Sequence, residues 1–173
     1  MSGPLPENIE DAYPLTPLQQ GMLFHSISSP ETGVYIEQIS VAIDQPAFSV
    51  EAFKNSWELL LQRHSAFRTA FVWKDLNEPL QVVRKRVTLS WNDIDWRELD
   101  HCAQQSELEQ LKQSDRETEL SLNKAPLMHM TLVRLSDERY IWVWTRHHLI
   151  ADGWSTSHVL ARLFVRFSEP DQT

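Results

Sequence analysis

The sequence contains a single cysteine, Cys102, so an internal disulfide is excluded. Sparing use of cysteine is typical of proteins in a reducing cytoplasm, which is the predicted location. No apolar run approaches the length of a membrane span, and the first residues, MSGPLPENIED, lack the apolar core of a signal peptide. A soluble protein is therefore expected.

Positive charge is also scarce. The chain has 16 Lys and Arg against 24 Asp and Glu, which gives a formal net charge of −8. A negative surface repels phosphate backbones and anionic lipids, so neither nucleic acid nor a membrane is the expected partner. With 173 residues, 42% of them hydrophobic, the sequence predicts one globular domain.

Hydrophobic periodicity predicts helices and strands in mixed order. Thr16 and Ser49 are predicted N-caps, with helices following each of them. Further helices are predicted within residues 96–120 and over 154–167, and strands over 34–44, 66–73, 80–87, 128–135 and 139–146. The last two strands should form a hairpin. This order predicts an α/β fold, a two-layer sandwich of a mixed sheet with helices.

The stretch RHHLIADGW, residues 146–154, follows the most apolar of these strands. Two adjacent histidines followed by Asp-Gly make a compact acid–base site, because imidazole titrates near neutral pH. Asp152 could orient a histidine or hold the loop through an ion pair. Gly153 permits a turn that other residues cannot adopt.

Strand alternation predicts that the two histidines face opposite ways. His148 would share a face with Trp144 and Arg146, and His147 would lie on the other face. At most one histidine can therefore face a given cavity. On the strand over 34–44, Glu37 is the odd charged member of an otherwise apolar face.

Three stretches carry a family resemblance: YPLTPLQQGMLFH at residues 13–25, RHSAFRTAF at 63–71 and HHLIADGWS at 147–155. Their order and spacing resemble those of nonribosomal peptide synthetase condensation domains, within the chloramphenicol acetyltransferase-like superfamily. That family has two lobes with the active site in a tunnel between them. The chain resembles the N-terminal lobe alone, over residues 9–168, with a disordered leader at 1–8 and a tail or start of an inter-lobe linker at 169–173.

The resemblance implies a role for each site residue. His148 would be catalytic, either accepting or hydrogen-bonding the proton of the acceptor's α-amine, or stabilising the tetrahedral intermediate. His147 would be structural. Asp152 would pair with Arg68, and Gly153 would leave its backbone amide near the reacting carbonyl.

The resemblance also implies substrates and partners. A peptide bond would form between a donor thioester and an aminoacyl acceptor, both carried on the 4′-phosphopantetheine of carrier proteins, and this lobe would bind no cofactor itself. Expected partners are the C-terminal lobe, the donor and acceptor carrier proteins and the adjacent adenylation domain. An exposed lobe interface would favour self-association.

The resemblance also bears on the subtype. Intact histidines argue against heterocyclisation, and the opening motif with DGWS resembles subtypes that take a D-configured donor. A single lobe leaves an open, wet site, so the isolated chain is expected to be inactive. The alternatives are a non-catalytic docking lobe, half of an epimerisation-type domain, a split protein, or an artificial fragment.

Two other kinds of site find little support. A metal site would use His147, His148, Asp152 and His158, but adjacent histidines on opposite strand faces do not easily share one ion, and no HExxH motif or cysteine cluster is present. A serine hydrolase would need a GxSxG motif, which is absent.

Overall fold

The computed structural model describes residues 6–29 and 33–168, with side chains described as far as residue 164. Within those residues the elements are, in order, β1 (Ile9–Pro14), α1 (Pro17–Ser28), β2 (Ile36–Asp44), α2 (Val50–Arg63), β3 (Thr69–Val72), β4 (Leu80–Arg84), β5 (Trp91–Asp95), α3 (His101–Glu117), β6 (Met128–Arg134), β7 (Arg139–His147) and α4 (Gly153–Ser168). A 3-10 turn, Ser65–Arg68, leads into β3.

The strands form two sheets, with strand orders β1-β4-β3 and β2-β7-β6-β5. The larger sheet is mixed, because β5 and β6 are parallel while its other neighbours are antiparallel. The predicted hairpin is the β6–β7 pair. The predicted α/β class with a mixed sheet is therefore confirmed, and the smaller sheet is a second one beside it.

An aromatic core joins the larger sheet to α2. The ring centroid of Trp57 lies 5.4 Å from that of Trp142 and 4.9 Å from that of Trp144, and all three side chains are fully buried. Ser49 accepts a hydrogen bond from the backbone N–H of Ala52 and so caps α2 as predicted. Removing such a buried indole costs about 3–5 kcal/mol.

The opposite face of this sheet is covered by α3. Leu108 and Leu111 pack against Val133, Ile141 and Val143. The helix was predicted to be charge-rich and exposed, and these two leucines provide its one apolar stripe. Since α2 and α3 lie on opposite faces, β7 is buried on both sides and runs through the centre of the fold.

Three elements differ from the sequence predictions. β5, Trp91–Asp95, was not predicted as a strand and pairs in parallel with β6. β1, Ile9–Pro14, was not predicted and pairs with β4, and the chain at 66–68 forms a 3-10 turn rather than a strand. Residues 1–5 of the predicted leader and the whole of the predicted tail, 169–173, lie outside the described residues. At residues 6–8 the chain forms a turn whose Asn8 carbonyl accepts from Lys85 N–H. None of the helices in the described part of the chain has the length and apolarity to cross a membrane.

Candidate functional site

The histidine pair lies where β7 gives way to α4. Hydrogen bonds fix the backbone of both residues: His147 N–H donates to the Leu127 carbonyl at 3.0 Å, and His148 N–H donates to the Tyr35 carbonyl at 2.8 Å. Because the second bond reaches the start of β2, the turn that carries His148 is attached to the neighbouring strand.

His147 is a buried, neutral residue. Its Nε2 lies 3.1 Å from the Ser26 hydroxyl of α1, and its Nδ1 accepts from Leu149 N–H at 3.1 Å. Since Ser26 donates its own proton to the Met22 carbonyl, Nε2 of His147 is the donor of the pair. Burial, and then the nearby charge of His148, lower the pKa of His147 to about 4. Both ring nitrogens are therefore occupied by structural hydrogen bonds.

His148 has different surroundings. Its side chain is 31% exposed, and its Nδ1 lies 2.8 Å from Oε1 of Glu37. The carboxylate oxygen lies off the axis of the ring N–H, so this contact is mainly electrostatic. The two histidines thus point to different environments, as strand alternation predicted.

A groove of about 1220 Å³ lies on the His147 side. Its wall includes the end of α1, the end of α3 and residues 118–123, with His147 among the lining residues and His148 outside them. The prediction that at most one of the two histidines faces a given cavity is confirmed for this groove.

Arg146 is the buried cation beside His148. Its Nη2 donates to Oε2 of Glu37 and, at 2.8 Å, to the Thr156 hydroxyl of α4. Its guanidinium lies 4.4 Å from the ring centroid of Trp144. Nε and Nη1 have no hydrogen-bond partner among the described residues. Burial lowers the pKa of Arg146, and the carboxylate of Glu37 opposes that shift.

The predicted Asp152–Arg68 pair is wrong. Arg68 donates from Nη1 to Glu10 at 2.5 Å and from Nε to the Leu61 carbonyl at 3.0 Å. Arg68 lies in the 3-10 turn that precedes β3, so its nearest carboxylate is on β1. The exposed Asp152 instead accepts from Ser155 N–H at 2.8 Å and caps α4. That hydrogen bond lowers the pKa of Asp152.

Gly153 also differs from its prediction. It is the first residue of α4, and its backbone does not have the positive φ that restricts a position to glycine. A Cβ added there would meet no atom within 4 Å. Neither conformation nor packing within the described residues therefore requires glycine at this position.

Glu37 is the main site residue that sequence reasoning missed. It lies opposite Arg146 in the β2–β7 register and contacts both Arg146 and His148. The signal was present, since Glu37 is the charged member of an apolar strand face. Interpreting that signal needed the position of the partner strand.

Within the described residues, no group of three or more His, Cys, Asp or Glu side chains is placed to hold a metal ion.

Comparison with known proteins identifies the family. The family model described as "Condensation domain" matches residues 9–169, and the chain therefore belongs to the condensation-domain family. The family predicted from the three motifs is confirmed.

Several relatives and solved structures are similar to this chain. It is 43% identical over 157 residues to one of the linear gramicidin synthase subunits of Brevibacillus parabrevis, covering 91% of this chain and 2% of that protein. It is 36% identical over 151 residues to tyrocidine synthase 2, also of Brevibacillus parabrevis, covering 87% of this chain and 4% of that protein. The chain thus spans a few per cent of the length of these relatives.

Two crystal structures share the fold. One is holo-AB3403, a four-domain nonribosomal peptide synthetase, with a TM-score of 0.83 at 18% identity over 99% of this chain and 13% of that one. The other is the starter condensation domain of rhizomide synthetase RzmA, with a TM-score of 0.79 at 16% identity over 95% of this chain and 42% of that one. At these identities the likeness establishes the fold.

Proposed function

We propose that this chain supplies the histidine-bearing lobe of a condensation site that forms a peptide bond between two carrier-bound substrates. Family membership and the names of the relatives, which are synthases of gramicidin and tyrocidine, support this function. The observation that carries it is the difference within the histidine pair. His148 is partly exposed with its Nε2 outside every hydrogen bond of the described residues, whereas His147 is buried and bonded at both nitrogens.

The proposed chemistry is aminolysis of a thioester. The acceptor's amine nitrogen attacks the donor's carbonyl carbon, a C–N bond forms, and the C–S bond then breaks to release the carrier thiol. His148 accepts the proton that the amine loses and returns it to the leaving thiolate, so no other reactant is consumed. A thioester is already activated, and holding both tethered substrates in position contributes much of the acceleration.

Gly153 fits this proposal. The residue is exposed, and a Cβ added to it would meet no atom within 4 Å. A backbone N–H left accessible at the first residue of a helix is suited to hydrogen-bonding the carbonyl oxygen as negative charge develops on it. Asp152 would then serve the site indirectly, by capping the helix that presents Gly153.

The proposed partners are a donor and an acceptor carrier protein with their phosphopantetheine arms, an adenylation domain and a second lobe that closes the site. Large apolar side chains in the first turns of α1 and α4 are exposed, with Leu18 at 72% and Trp154 at 79%. A lobe that covered them would exclude water from His148 and strengthen its electrostatic interactions. We also propose a D-configured donor, because residues 13–25 and the DGWS segment resemble that subtype.

The test is amide formation from aminoacyl carrier thioesters. The chain would be assayed alone and with the C-terminal lobe of the condensation domain that it matches in linear gramicidin synthase. We expect activity only with both lobes, and a loss of about 10²- to 10⁴-fold in His148→Ala, the usual range for a general base. D- and L-configured donors would be compared in the same assay.

The matched control is His101→Ala, which removes an exposed histidine at the start of α3. It should leave the rate unchanged, and circular dichroism should show both variants folded. Full activity in a folded His148→Ala variant would contradict the proposed role. Activity of the chain alone would contradict the need for a second lobe.

A further inference from the structure

Glu37 lies between a buried cation and the exposed histidine. Its Oε2 accepts from Nη2 of Arg146, and its Oε1 lies 2.8 Å from Nδ1 of His148. The three residues share one face of the β2–β7 pair, because Glu37 and Arg146 are register partners and His148 is two positions beyond Arg146. One carboxylate is therefore shared by two partners, one on each oxygen.

Arg146 fixes this carboxylate in place. The guanidinium is held by its stacking on Trp144 and by its hydrogen bond to Thr156, and its side chain is only 3% exposed. Among the described residues Glu37 is the carboxylate that contacts this buried guanidinium, whose Nε and Nη1 have no partner there, so the guanidinium depends on Glu37 for charge compensation. Glu37 is consequently held in place, with one oxygen committed to Arg146.

The other oxygen determines which nitrogen of His148 carries the proton. An unprotonated Nδ1 would place its partial negative charge 2.8 Å from a carboxylate oxygen, and the two would repel. A proton on Nδ1 converts that contact into an attraction, which leaves the lone pair on Nε2. His147 is held the opposite way, with its proton on Nε2, by Ser26 and Leu149.

We propose that Glu37, backed by Arg146, is a positioning residue that holds the proton of His148 on Nδ1 and so directs the basic Nε2 toward the acceptor amine. The sequence suggested Asp152 for an orienting role. The structure commits Asp152 to Ser155 at the start of α4, and Glu37 is the carboxylate beside the ring. The catalytic meaning of this inference rests on the proposed function; the state of the ring does not.

The experiment reads the tautomer of His148 directly, by two-dimensional NMR of the ¹⁵N-labelled chain at an alkaline pH where imidazole is neutral. His148→Gln assigns the resonances by their disappearance. In the unmodified chain we expect Nδ1 of His148 to be protonated and Nε2 to be unprotonated. The reverse pattern, or an even mixture of the two tautomers, would overturn the proposal.

Glu37→Gln gives the sharpest outcome. Arginine has donors only, so the amide oxygen of the glutamine must face Arg146 and its NH₂ group must face His148. Nδ1 then becomes an acceptor, and we expect the tautomer to invert to Nε2–H. An unchanged tautomer in a folded variant would overturn the proposal. A merely structural role for Glu37 would not invert it.

Two further variants keep the test decisive if Glu37→Gln does not fold. In Arg146→Met the carboxylate loses the group that fixes it but keeps its charge, so Nδ1–H should remain the major tautomer of His148. In the double variant Glu37→Gln/Arg146→Met no buried charge is left unpaired and the amide can rotate, so a mixture of tautomers is expected. Retention of a pure Nδ1–H form in the double variant would refute the role of Glu37.

The matched control is Asp44→Asn, the same change of acid to amide at the far end of the same strand pair. Asp44 and Arg139 are register partners with an exposed 3.2 Å ion pair. The His148 resonances should not change in this variant, and a comparable change would overturn the assignment to Glu37. The NMR measurement does not require the chain to form amide bonds. The tautomer of His148 can therefore be confirmed even if no amide formation is detected, so the failure of this inference and the failure of the proposed function are distinguishable.

Discussion

The two faces of β7 each carry a buried polar cluster, and the two clusters are built differently. On the α3 face, Asp115 accepts hydrogen bonds from Thr145, from His129 at 2.8 Å and from Gln38 at 3.4 Å. On the opposite face, Glu37 serves Arg146 and His148. Two guanidinium nitrogens have no partner among the described residues there, and the histidine contact is off axis.

This difference suggests that the cluster around Asp115 serves stability and that the cluster around Glu37 serves the proposed site. Asp115 is 9% exposed and accepts hydrogen bonds from three donors on the sheet. Its cluster is therefore closed, meaning that it is buried with its hydrogen bonds satisfied, and it holds α3 against the sheet. The side chain of Glu37 is 36% exposed and its cluster ends in a partly exposed ring. Buried polar groups without a partner are costly and rare, and a role in a site is one reason for which they are kept.

Breaking the closed cluster should have the largest effect on stability. Asp115→Ala removes the acceptor for His129 and Thr145, and we expect the free energy of unfolding in urea to fall by about 3–5 kcal/mol. Hydrogen exchange should accelerate along α3. The NMR signals of His148 should stay in place, and a change of its tautomer would contradict the independence of the two clusters.

Acid should weaken the same face. Burial alone would raise the pKa of Asp115, but hydrogen bonds from His129 and Thr145 outweigh it and lower the pKa. A carboxyl whose folded-state pKa is depressed stabilises the fold above its unfolded pKa, and this contribution is lost as the pH falls. Asp115→Ala should therefore lose less stability on acidification than the unmodified chain.

The second test concerns His147, the buried member of the histidine pair. Its pKa of about 4 lies below the ordinary 6.5, so the folded state resists the proton that the unfolded state accepts. Stability is full above pH 6.5 and falls as the pH drops toward 4, by up to about 3 kcal/mol. Urea unfolding across this pH range should show the fall.

His147→Gln is the control for that slope. Glutamine offers a donor and an acceptor for Ser26 and the Leu149 N–H but does not titrate in this range. The variant should show a shallower loss of stability between pH 6.5 and 4. An identical slope in both proteins would contradict the assignment of this loss to His147.

The smallest expected effect on stability is at Asp152, which lies on the side of the cluster formed by Glu37, Arg146 and His148. As a helix cap it contributes about 1 kcal/mol, and Asp152→Ala should lower the free energy of unfolding by that amount. A buried pair with Arg68 would have cost about 3–5 kcal/mol to break. Asp100→Ala, which removes the equivalent cap of α3, is the matched control and should show a similar loss.

Much of the fold could be predicted from local patterns. Thr16 and Ser49 cap α1 and α2 as predicted, because capping depends on residues within one turn. The β6–β7 hairpin was likewise predicted from alternation around a short turn. β1 was missed, since its sequence IEDAYP has little alternation and its strand character comes from pairing with β4.

The site could be predicted only in part, because its contacts are not local. The histidine pair was found from its motif, and the opposite directions of the rings followed from strand alternation. The role of Glu37 required knowledge that β2 pairs with β7 in one particular register. Arg68 pairs with Glu10 rather than with Asp152. This pairing also depends on three-dimensional proximity, which cannot be deduced from the spacing of residues in the sequence.

The β2–β7 register has a consequence for how the chain acquires its site. Glu37 and Arg146 are separated by 109 positions, so their strands can meet only after a long loop has closed, a step that slows folding. During synthesis, β2 would leave the ribosome well before its partner strand exists. The edge of β2 that pairs with β7 therefore stays shielded or transiently paired until β7 has been synthesised. The contact between Glu37 and Arg146 is thus expected to be among the last features of the fold to form.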